Sequence, residues 1–389
     1  MAPEITAIET VEFAFPVEDV GYSPNGFCLV YEPGTTTRRK LFGVKIHTDV
    51  GVTGEYVGGN SPALAQINMF ADYLVGRNPL ARERHWSSIK RALRKYDRMG
   101  IGPIDIALWD FAGKYHDAPI HELLGTYRER LPAYASTYEA DLNGGLDGPE
   151  AFADFAEECY QMGYGGFKLH VWESEEWGDI DREVATVHAV GERVPEMDLM
   201  LDPACQYETW GDALKVGKAC DEHDFFWYED PYRDAGISQH GHNRLGEHID
   251  TPLLQTEHVR GLEPHTDFVA SGATDYVRAD PEYDAGITGA KKIASVAEGF
   301  GLDVEYHAPG PAQRHLMAAT RNSNYYEMAL VHPDCANPVP PVYAGGYEDV
   351  LDSIDDDGTV GVPDGPGLGV EYDWEYVEAN QTGSTHRYE

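Results

Sequence analysis

The sequence predicts an α/β protein in which a (β/α) barrel follows a smaller α+β domain. From Leu131 onwards, short apolar segments alternate with segments of helical period, as in parallel sheets with helical crossovers. Three consecutive apolar segments also end on acidic residues at nearly equal spacing. Before Leu131 the pattern differs, because two strand-like segments are followed by helical ones. These three observations indicate two units, of which the second carries the parallel sheet.

The first unit begins with residues 4–13 and 41–57, whose apolar and polar side chains alternate as in antiparallel strands. We expect a loop from Val17 to Asn25 between these strands and helices from Ser61 to His116. The predicted boundaries are residues 1–128 for the α+β domain, 129–350 for the barrel and 351–389 for a C-terminal segment that returns to the first domain.

Eight apolar segments after residue 128 have the length and composition of buried strands. Eight is the number that a closed (β/α) barrel of the TIM type requires, and the catalytic residues of such barrels lie at the carboxyl ends of the strands. The predicted strands are Leu131–Ser136, Gly166–His170, Leu199–Asp202, Phe226–Glu229, Leu253–Glu257, Tyr276–Asp280, Val304–His307 and Tyr325–Met328.

Three successive strands in this series end on the acids Asp202, Glu229 and Glu257, which are about 27 and 28 residues apart. Neighbouring parallel strands lie about 5 Å apart, so the three carboxylates should converge. Unless a cation binds, they repel one another, and all-oxygen ligands favour Mg²⁺. The alternative is three unrelated surface acids in an acidic chain. The repeated spacing favours the metal site.

Candidate acid and base groups occur on the other strands. Lys168 and His170 alternate on the second strand, so their side chains point to the same face. Asp280 and His307 end the sixth and seventh strands, where the carboxylate would fix the imidazole tautomer and raise its basicity. Glu327 ends the eighth strand. Three carboxylates on a metal with bases on both sides predict abstraction of a proton next to a substrate carboxylate.

Each of these groups also has a purely structural interpretation. A lone histidine such as His170 in a barrel strand is more often structural than catalytic. Lys168 alone could extend its ammonium group to the rim of the barrel. Asp280 could be a helix N-cap. The occurrence of the whole set in order at strand ends favours the catalytic interpretation.

The charge balance excludes several classes of partner. The chain has 67 acidic and 29 basic residues and a net charge of −38, which argues against binding to nucleic acids or anionic membranes. Its 42% hydrophobic and 11% aromatic content is sufficient for folding. A folded, acidic and lysine-poor chain fits a cytoplasm with molar salt, where like-charge repulsion is screened. We therefore expect a halophilic source.

The remaining sequence features indicate a cytoplasmic protein. The N-terminus has no basic-then-apolar signal segment, and no apolar run has the length of a membrane span. The five cysteines are scattered and lack metal-ligand spacing, as in proteins with reduced thiols. Eight cations lie between Arg77 and Arg98, either on a solvated helix face or at a contact with an acidic face of another subunit. We expect a homo-oligomer.

Several motifs resemble those of the enolase superfamily, and within it the mandelate racemase-like group that includes acid-sugar dehydratases. The resemblance covers nearly the whole chain. The motifs are the helix Ile104–Lys114 followed by Leu123-Leu124-Gly125, the segment Trp227–Pro231, the segment Ala285–Gly289 with Lys292-Ile293-Ala294, and Pro366–Gly369.

The resemblance implies a function for each candidate residue. Asp202, Glu229 and Glu257 match the ligands of one Mg²⁺ per subunit, Lys168 and His170 match the base motif, Asp280 and His307 match an Asp–His dyad, and Glu327 matches an acid that hydrogen-bonds the substrate carboxylate. It also implies that the first domain caps the barrel and that its early loop closes over the substrate. In that loop Tyr22 and Asn25 are candidate substrate-binding residues.

The chain departs from the family pattern at three places. The base motif is Lys-x-His rather than Lys-x-Lys, which weakens a racemase interpretation; Asp230 replaces the commoner glutamate; and Ala204 stands where asparagine or histidine is frequent. The implied function is dehydration of an aldonate or aldarate to a 2-keto-3-deoxy acid through an enediolate. The alternatives are a racemase, epimerase or other isomerase acting on an α-hydroxy carboxylate, and a non-catalytic protein that binds sugar acids.

Overall fold

Two β-sheets organise the chain in the computed structural model, which describes residues 2–23, 26, 28–170, 172 and 180–389. The strands are β1 Ile5–Tyr22, β2 Leu29–Thr48, β3 Thr53–Gly58, β4 Arg130–Thr137, β5 Gly166–His170, β6 Asp198–Asp202, β7 Trp227–Glu229, β8 Leu253–Gln255, β9 Tyr276–Ala279, β10 Asp303–Tyr306, β11 Tyr326–Val331, β12 Tyr343–Ala344, β13 Thr359–Gly361, β14 Glu371–Tyr372 and β15 His386–Tyr388.

Helices connect the strands of the second sheet and follow the hairpin of the first. They are α1 Ser61–Ile67, α2 Ala71–Leu74, α3 Arg82–Ala92, α4 Ile101–His116, α5 Ile120–Leu124, α6 Pro149–Met162, α7 Ile180–Arg193, α8 Trp210–Asp221, α9 Gln239–Gly246, α10 Leu262–Ser271, α11 Gly286–Phe300, α12 Pro311–Ala318 and α13 Trp374–Ala379, with a 3₁₀ helix at Leu351–Ser353. None of the helices in the described ranges is long and apolar enough to cross a membrane.

The second sheet is a curled parallel sheet with the strand order β10-β9-β8-β7-β6-β5-β4-β11. It confirms the predicted TIM-type fold, since each of the eight predicted strands overlaps one of β4–β11. Successive strands are neighbours in this order, so the carboxyl ends of β5 to β10 follow one another along one rim. β13 pairs with β4 in the antiparallel sense.

The parallel sheet has one seam without a backbone ladder, between β10 and β11. Side chains span this seam instead. The buried Glu305 carboxylate accepts hydrogen bonds from the N–H groups of Asn324 (3.0 Å) and Tyr325 (3.2 Å). Near the rim, the N–H of Ala308 donates to Glu327 Oε2 at 2.8 Å. Hydrogen bonds to the acidic side chains of Glu305 and Glu327 therefore connect β10 and β11, the two end strands of the sheet.

The first sheet is antiparallel, with the order β15-β1-β2-β3. The prediction of a loop from Val17 to Asn25 was wrong up to Tyr22, because β1 continues to that residue and pairs with β2 along its length. A register shift between Glu18 and Val20 interrupts the apolar alternation, and Asp19 takes a left-handed φ of 59° at this bulge. This irregularity conceals the strand in the sequence.

The first sheet and its helices pack over the rim of the barrel. The Tyr56 hydroxyl and the N–H of Gly59 donate to Glu282 Oε1 at 2.5 and 2.7 Å. A side chain at Gly102 on α4 would lie 2.0 Å from the carbonyl oxygen of Glu282, so this close approach requires glycine. These contacts place the end of β3 beside the rim.

The boundaries of the units at residues 128 and 350 stay a prediction.

The C-terminal segment returns to the first sheet, where β15 pairs with β1. On the way it contacts α4, since Asp110 Oδ1 accepts a hydrogen bond from the N–H of Leu368 at 2.9 Å. Gly367 has a φ of 75°, and a Cβ there would lie 2.3 Å from Asp110 Oδ1. Two of the motifs singled out in the sequence thus form one contact between α4 and the segment Pro366–Gly369.

His315 joins α12 to the two segments beside it, and its protonation should destabilise the fold. The ring Nδ1 accepts from the N–H of His121 (3.2 Å), and Nε2 donates to the carbonyl oxygen of Leu368 (3.0 Å). Burial lowers the pKa of His315 to about 3. Unfolded chains bind a proton here below pH ~6.5, so stability conferred by the neutral ring is present above that pH and lost as pH falls towards 3.

We expect the His315 contribution to the free energy of unfolding to fall by ~1 kcal/mol between pH 6.5 and 5.5. Urea unfolding at constant high salt measures it. The His315→Gln variant should lose this part of the pH dependence, whereas His116→Gln, at an exposed residue of α4, should not. Equal slopes for all three proteins would contradict the assignment.

Candidate active site

Three carboxylates meet at the rim of the barrel, at the ends of β6, β7 and β8. Asp202 and Glu229 end their strands, and Glu257 follows β8 by two residues. One oxygen from each lies within 4.8 Å of the others. Asp202 and Glu229 are buried, and Glu257 is partly exposed. Hard oxygen donors at this separation fit Mg²⁺ by the chemistry of the donor set.

Lys168 on β5 lies beneath these acids. Its ammonium group is 3.2 Å from Asp202, 3.1 Å from Glu229 and 3.0 Å from Glu327. Burial alone would lower the pKa of Lys168, but Glu229 and Glu327 outweigh it and raise the pKa well above its ordinary value. Lys168 therefore remains a cation that offsets the mutual repulsion of the acids.

Arg278, a fully buried residue of β9, was not among the predicted site residues. Its guanidinium donates to Glu229 through Nε (2.7 Å) and Nη2 (2.6 Å), a bidentate pair that fixes the carboxylate plane. It lies 3.4 Å from the Tyr134 hydroxyl through Nη1. A signal was available, because Arg278 stands two residues before Asp280 and shares its face of the strand.

His170 and His307 flank the carboxylates on opposite sides. His170 Nε2 lies 3.1 Å from Asp202 Oδ2, and its Nδ1 donates to the carbonyl oxygen of Thr137 at 2.8 Å. His307 lies on the other side, with Nε2 3.5 Å from Glu257 Oε1. Since β5 and β10 stand on opposite sides of β6–β8 in the sheet order, the two rings face the site from different directions.

The predicted pair of Asp280 and His307 is in contact. His307 Nδ1 lies 2.7 Å from Asp280 Oδ2, and the N–H of Glu282 donates to Asp280 Oδ1 at 2.6 Å. Burial alone would lower the pKa of His307, but Glu257 and Asp280 raise it to about 10. Burial also acts against the charged form of His170, and Asp202 outweighs it and raises the pKa of that ring.

Glu327 is the last of the predicted site residues at the rim. Its Oε1 contacts Lys168, and its Oε2 accepts the N–H of Ala308 across the seam. Burial alone would raise the pKa of Glu327, but the charges of Lys168 and Arg278 lower it far below its usual range. The carboxylate is therefore ionised and fixed in orientation.

A second cluster lies beside the carboxylates, formed by Cys205, Asp230 and His258. Their ligand atoms also lie within 4.8 Å of one another. His258 Nε2 is 3.3 Å from Asp230 Oδ2. Thiol and imidazole groups are softer donors than Mg²⁺ prefers, so the three carboxylates form the better magnesium site. In the sequence, Asp230 stands out only as a departure from a motif, and the spacing of these three residues does not associate them.

The carboxylates open into a cavity of about 590 Å³ between the barrel rim and the first sheet. His170, Asp280, His307 and Glu327 line it together with Lys168. The lining also includes Glu139 and Glu282, which were not among the predicted site residues.

The two candidates in the early loop are not among the residues that line this cavity. Tyr22 ends β1, is 50% exposed and does not line the cavity. Asn25 lies outside the described residues. Their contact with the substrate stays a prediction. Ala204, which the sequence identifies as a departure, has a left-handed φ of 48° and adds no polar side chain to the lining.

Family models match both parts of the chain. Residues 151–377 match the enolase C-terminal domain-like family, and residues 29–125 match the mandelate racemase / muconate lactonizing enzyme N-terminal domain. The chain belongs to the enolase superfamily. The resemblance inferred from the motifs is thereby confirmed, and so is the fold of an N-terminal capping domain on a TIM-type barrel.

Individual relatives of this enolase-superfamily chain are distant. It is 28% identical to D-galactarolactone cycloisomerase of Agrobacterium fabrum, over 86% of this chain and 89% of the relative. It is 28% identical to D-xylonate dehydratase of Haloferax volcanii, over 87% and 84%. The crystal structure of D-glucarate dehydratase from Agrobacterium tumefaciens complexed with magnesium superposes with a TM-score of 0.84 at 28% identity, covering 98% of this chain and 99% of that one.

Proposed function

We propose that this protein is a Mg²⁺-dependent dehydratase that converts a sugar acid, an aldonate or aldarate, to a 2-keto-3-deoxy acid. The observation that carries the proposal is the pair of imidazoles, His170 and His307, on opposite sides of the carboxylate cluster. Elimination of water needs two proton transfers, one from the α-carbon and one to the departing hydroxyl. Two separate histidines can supply both. Relatives that are dehydratases support the proposal.

Asp202, Glu229 and Glu257 are the residues that would hold Mg²⁺. When bound, the metal supplies positive charge beside the substrate carboxylate, where negative charge develops as the α-proton leaves. Arg278 keeps the Glu229 carboxylate in one plane. Lys168 balances the charge of the acids on the inner side.

Each histidine presents the same nitrogen to the site. The Nδ1 positions are occupied, by the Thr137 carbonyl oxygen for His170 and by Asp280 for His307. Nε2 is therefore the nitrogen that exchanges protons with the substrate in both rings. His170 takes the α-proton, and His307 protonates the 3-hydroxyl so that the C3–O bond breaks and water leaves. If the substrate binds in the reverse direction, the two roles exchange.

The remaining acid, Glu327, is placed to orient the substrate. It is ionised and fixed by Lys168 and by the N–H of Ala308, so it accepts hydrogen bonds and does not supply a proton. We infer that it receives a hydrogen bond from the substrate on the inner side of the cavity. The product leaves as an enol, which becomes the 2-keto acid by taking up a proton at C3.

An isomerase is the second candidate, because one similar relative is a cycloisomerase. Such an enzyme would move the α-proton with the same two histidines and would not release water. Lys-x-His in place of Lys-x-Lys disfavours a racemase, which needs equally competent bases on both faces of the substrate. Dehydration gives the two imidazoles different tasks, which fits their different partners: the Thr137 carbonyl oxygen for His170 and the Asp280 carboxylate for His307.

One NMR experiment tests the proposed function. The protein is incubated with Mg²⁺, high KCl, heavy water and a panel of aldonates and aldarates. We expect signals of a 2-keto-3-deoxy acid from at least one member of the panel. Deuterium at the α-carbon without that product would replace the dehydratase with an epimerase. A lactone or its opened acid as the sole product would replace it with a cycloisomerase.

We also infer that the protein works as a homo-oligomer in a cytoplasm of high salt. The net charge of −38 and the relative in Haloferax volcanii support the salt requirement. Cooperative thermal unfolding should therefore be retained in molar KCl and weakened in dilute buffer. Full stability without salt would contradict this inference, and a monomer by light scattering in molar KCl would contradict the assembly.

A further inference from the structure

The wall that the first sheet contributes to the cavity carries an arginine from the capping domain. Arg39 on β2 pairs with Phe15 on β1, so the two side chains share one face of the hairpin. Phe15 packs in the apolar cluster that includes Tyr138, just past the end of β4. Arg39 and Phe15 both line the cavity. This face of β2 is therefore turned towards the mouth of the barrel.

Arg39 carries a charge that none of the described residues neutralises. Its neighbours are engaged, since Arg38 donates to the carbonyl oxygen of Ala14 at 3.2 Å and Lys40 lies 3.8 Å from Glu12. By contrast, no residue in the described part of the chain forms a hydrogen bond or ion pair with Arg39.

Acids that line the same cavity have partners of their own. Asp349 pairs with Arg314 at 2.5 Å, and Glu282 accepts hydrogen bonds from Tyr56 and Gly59. The lining also includes Lys40, which pairs with Glu12, and a set of apolar residues: Phe15, Leu29, Leu41, Leu330 and Val339. An anion that reached Arg39 would be drawn out of water, where a charged pair is stronger than at an exposed site.

Two sides of the cavity are therefore suited to negative groups. Lys168 and the carboxylate ligands of a divalent cation lie on the barrel side, and Arg39 lies on the side of the first sheet. We propose that Arg39 binds the distal carboxylate of the substrate, so that the protein acts on aldarates in preference to aldonates. This rests on the proposed function. A guanidinium binds a carboxylate through two parallel hydrogen bonds, whereas an aldonate places a neutral hydroxymethyl group there.

Binding measured without turnover tests the proposal. In the His307→Asn background with Mg²⁺ and molar KCl, calorimetric titration compares galactarate with galactonate, which differ only at the distal carbon. We expect galactarate to bind about 10- to 100-fold more tightly, as for a charge-assisted bidentate contact. Adding Arg39→Gln should remove this preference, with galactonate affinity changed by less than about threefold.

Arg38→Gln is the matched control, because it removes the same charge from the next residue of β2, which does not line the cavity. It should retain the preference for galactarate. Arg39→Lys keeps the charge without the bidentate contact and should retain only part of it. Circular dichroism in molar KCl verifies that the variants are folded.

Three results would overturn the proposal: equal affinity of the parent protein for the two acids, an undiminished preference in Arg39→Gln, or tighter binding of 6-phosphogluconate than of galactarate. A different result would contradict the proposed function. Absence of a 2-keto-3-deoxy product from active protein would remove the dehydratase, while a preference that depends on Arg39 would still identify a site for dicarboxylates. A product from aldonates alone would keep the dehydratase and remove the aldarate assignment.

Discussion

Replacing His307 by asparagine should lower kcat by about a thousandfold while the Kd for Mg²⁺ changes by less than about threefold. Asparagine can keep a hydrogen bond to Asp280 in place of Nδ1, but it has no nitrogen that exchanges a proton with the substrate. The imidazole contacts Glu257 only through Nε2 at 3.5 Å, so its loss should leave the carboxylate cluster in place. Product assays give kcat, and calorimetry gives Mg²⁺ affinity.

His188 provides the control for loss of an imidazole. It lies on α7 outside the barrel rim and contacts His223. His188→Asn should retain kcat. Unchanged turnover in His307→Asn would remove His307 from the proton transfers, and a loss of Mg²⁺ binding in that variant would show that its effect is not confined to them.

Replacing Glu229 by glutamine should weaken Mg²⁺ binding by about a hundredfold or more. The substitution removes one of three hard anionic ligands, and an amide oxygen is a weaker donor to Mg²⁺. It also changes the partner of Arg278, whose two hydrogen bonds require two acceptor oxygens. The amide nitrogen of glutamine cannot accept the second of them, so the remaining oxygen is also drawn from its position.

Asp198 offers a matched acid at the opposite end of the barrel, where it accepts a hydrogen bond from the Tyr325 hydroxyl at the start of β6. Asp198→Asn should retain Mg²⁺ affinity. An unaltered Mg²⁺ affinity in Glu229→Gln would contradict the assignment of Glu229 as a ligand. Equal losses of Mg²⁺ affinity in Glu229→Gln and Asp198→Asn would show that the effect arises from general destabilisation.

The sequence was sufficient for features that depend on spacing along the chain. The two βα units between Asp202 and Glu257 have nearly the same length, so Asp202, Glu229 and Glu257 had to reach the same rim once the strands were parallel. The dyad of Asp280 and His307 followed by the same reasoning. Pairings across the barrel could not be obtained in this way. The ion pair of Arg278 with Glu229 and the approach of Arg39 to the cavity depend on the curl of two sheets and on how they pack.

Irregular backbone was a second reason for failure. The bulge near Asp19 interrupts the alternation that identifies a strand, so half of the long hairpin resembled a loop in the sequence. Glycines predicted close backbone contacts, but only where they belonged to a recognisable motif. Gly367 stands against Asp110 because no Cβ fits there, and this contact explains why a motif near residue 110 accompanies one near residue 367.

Because no ladder joins β10 to β11, the strands that carry the site residues differ in how many neighbouring strands hold them. β6, β7 and β8, which carry the carboxylates, are each held by hydrogen bonds to a strand on both sides. β10 is held by a ladder on one side only, and His307 follows its last residue. On its other side β10 is joined to the segment before β11 by single hydrogen bonds, such as that from the N–H of Val304 to the carbonyl oxygen of Asn322 at 2.8 Å, and not by a second ladder. We therefore expect the three carboxylates to be held more rigidly than His307. The contacts of Glu305 and Glu327 across the seam limit how far His307 can move.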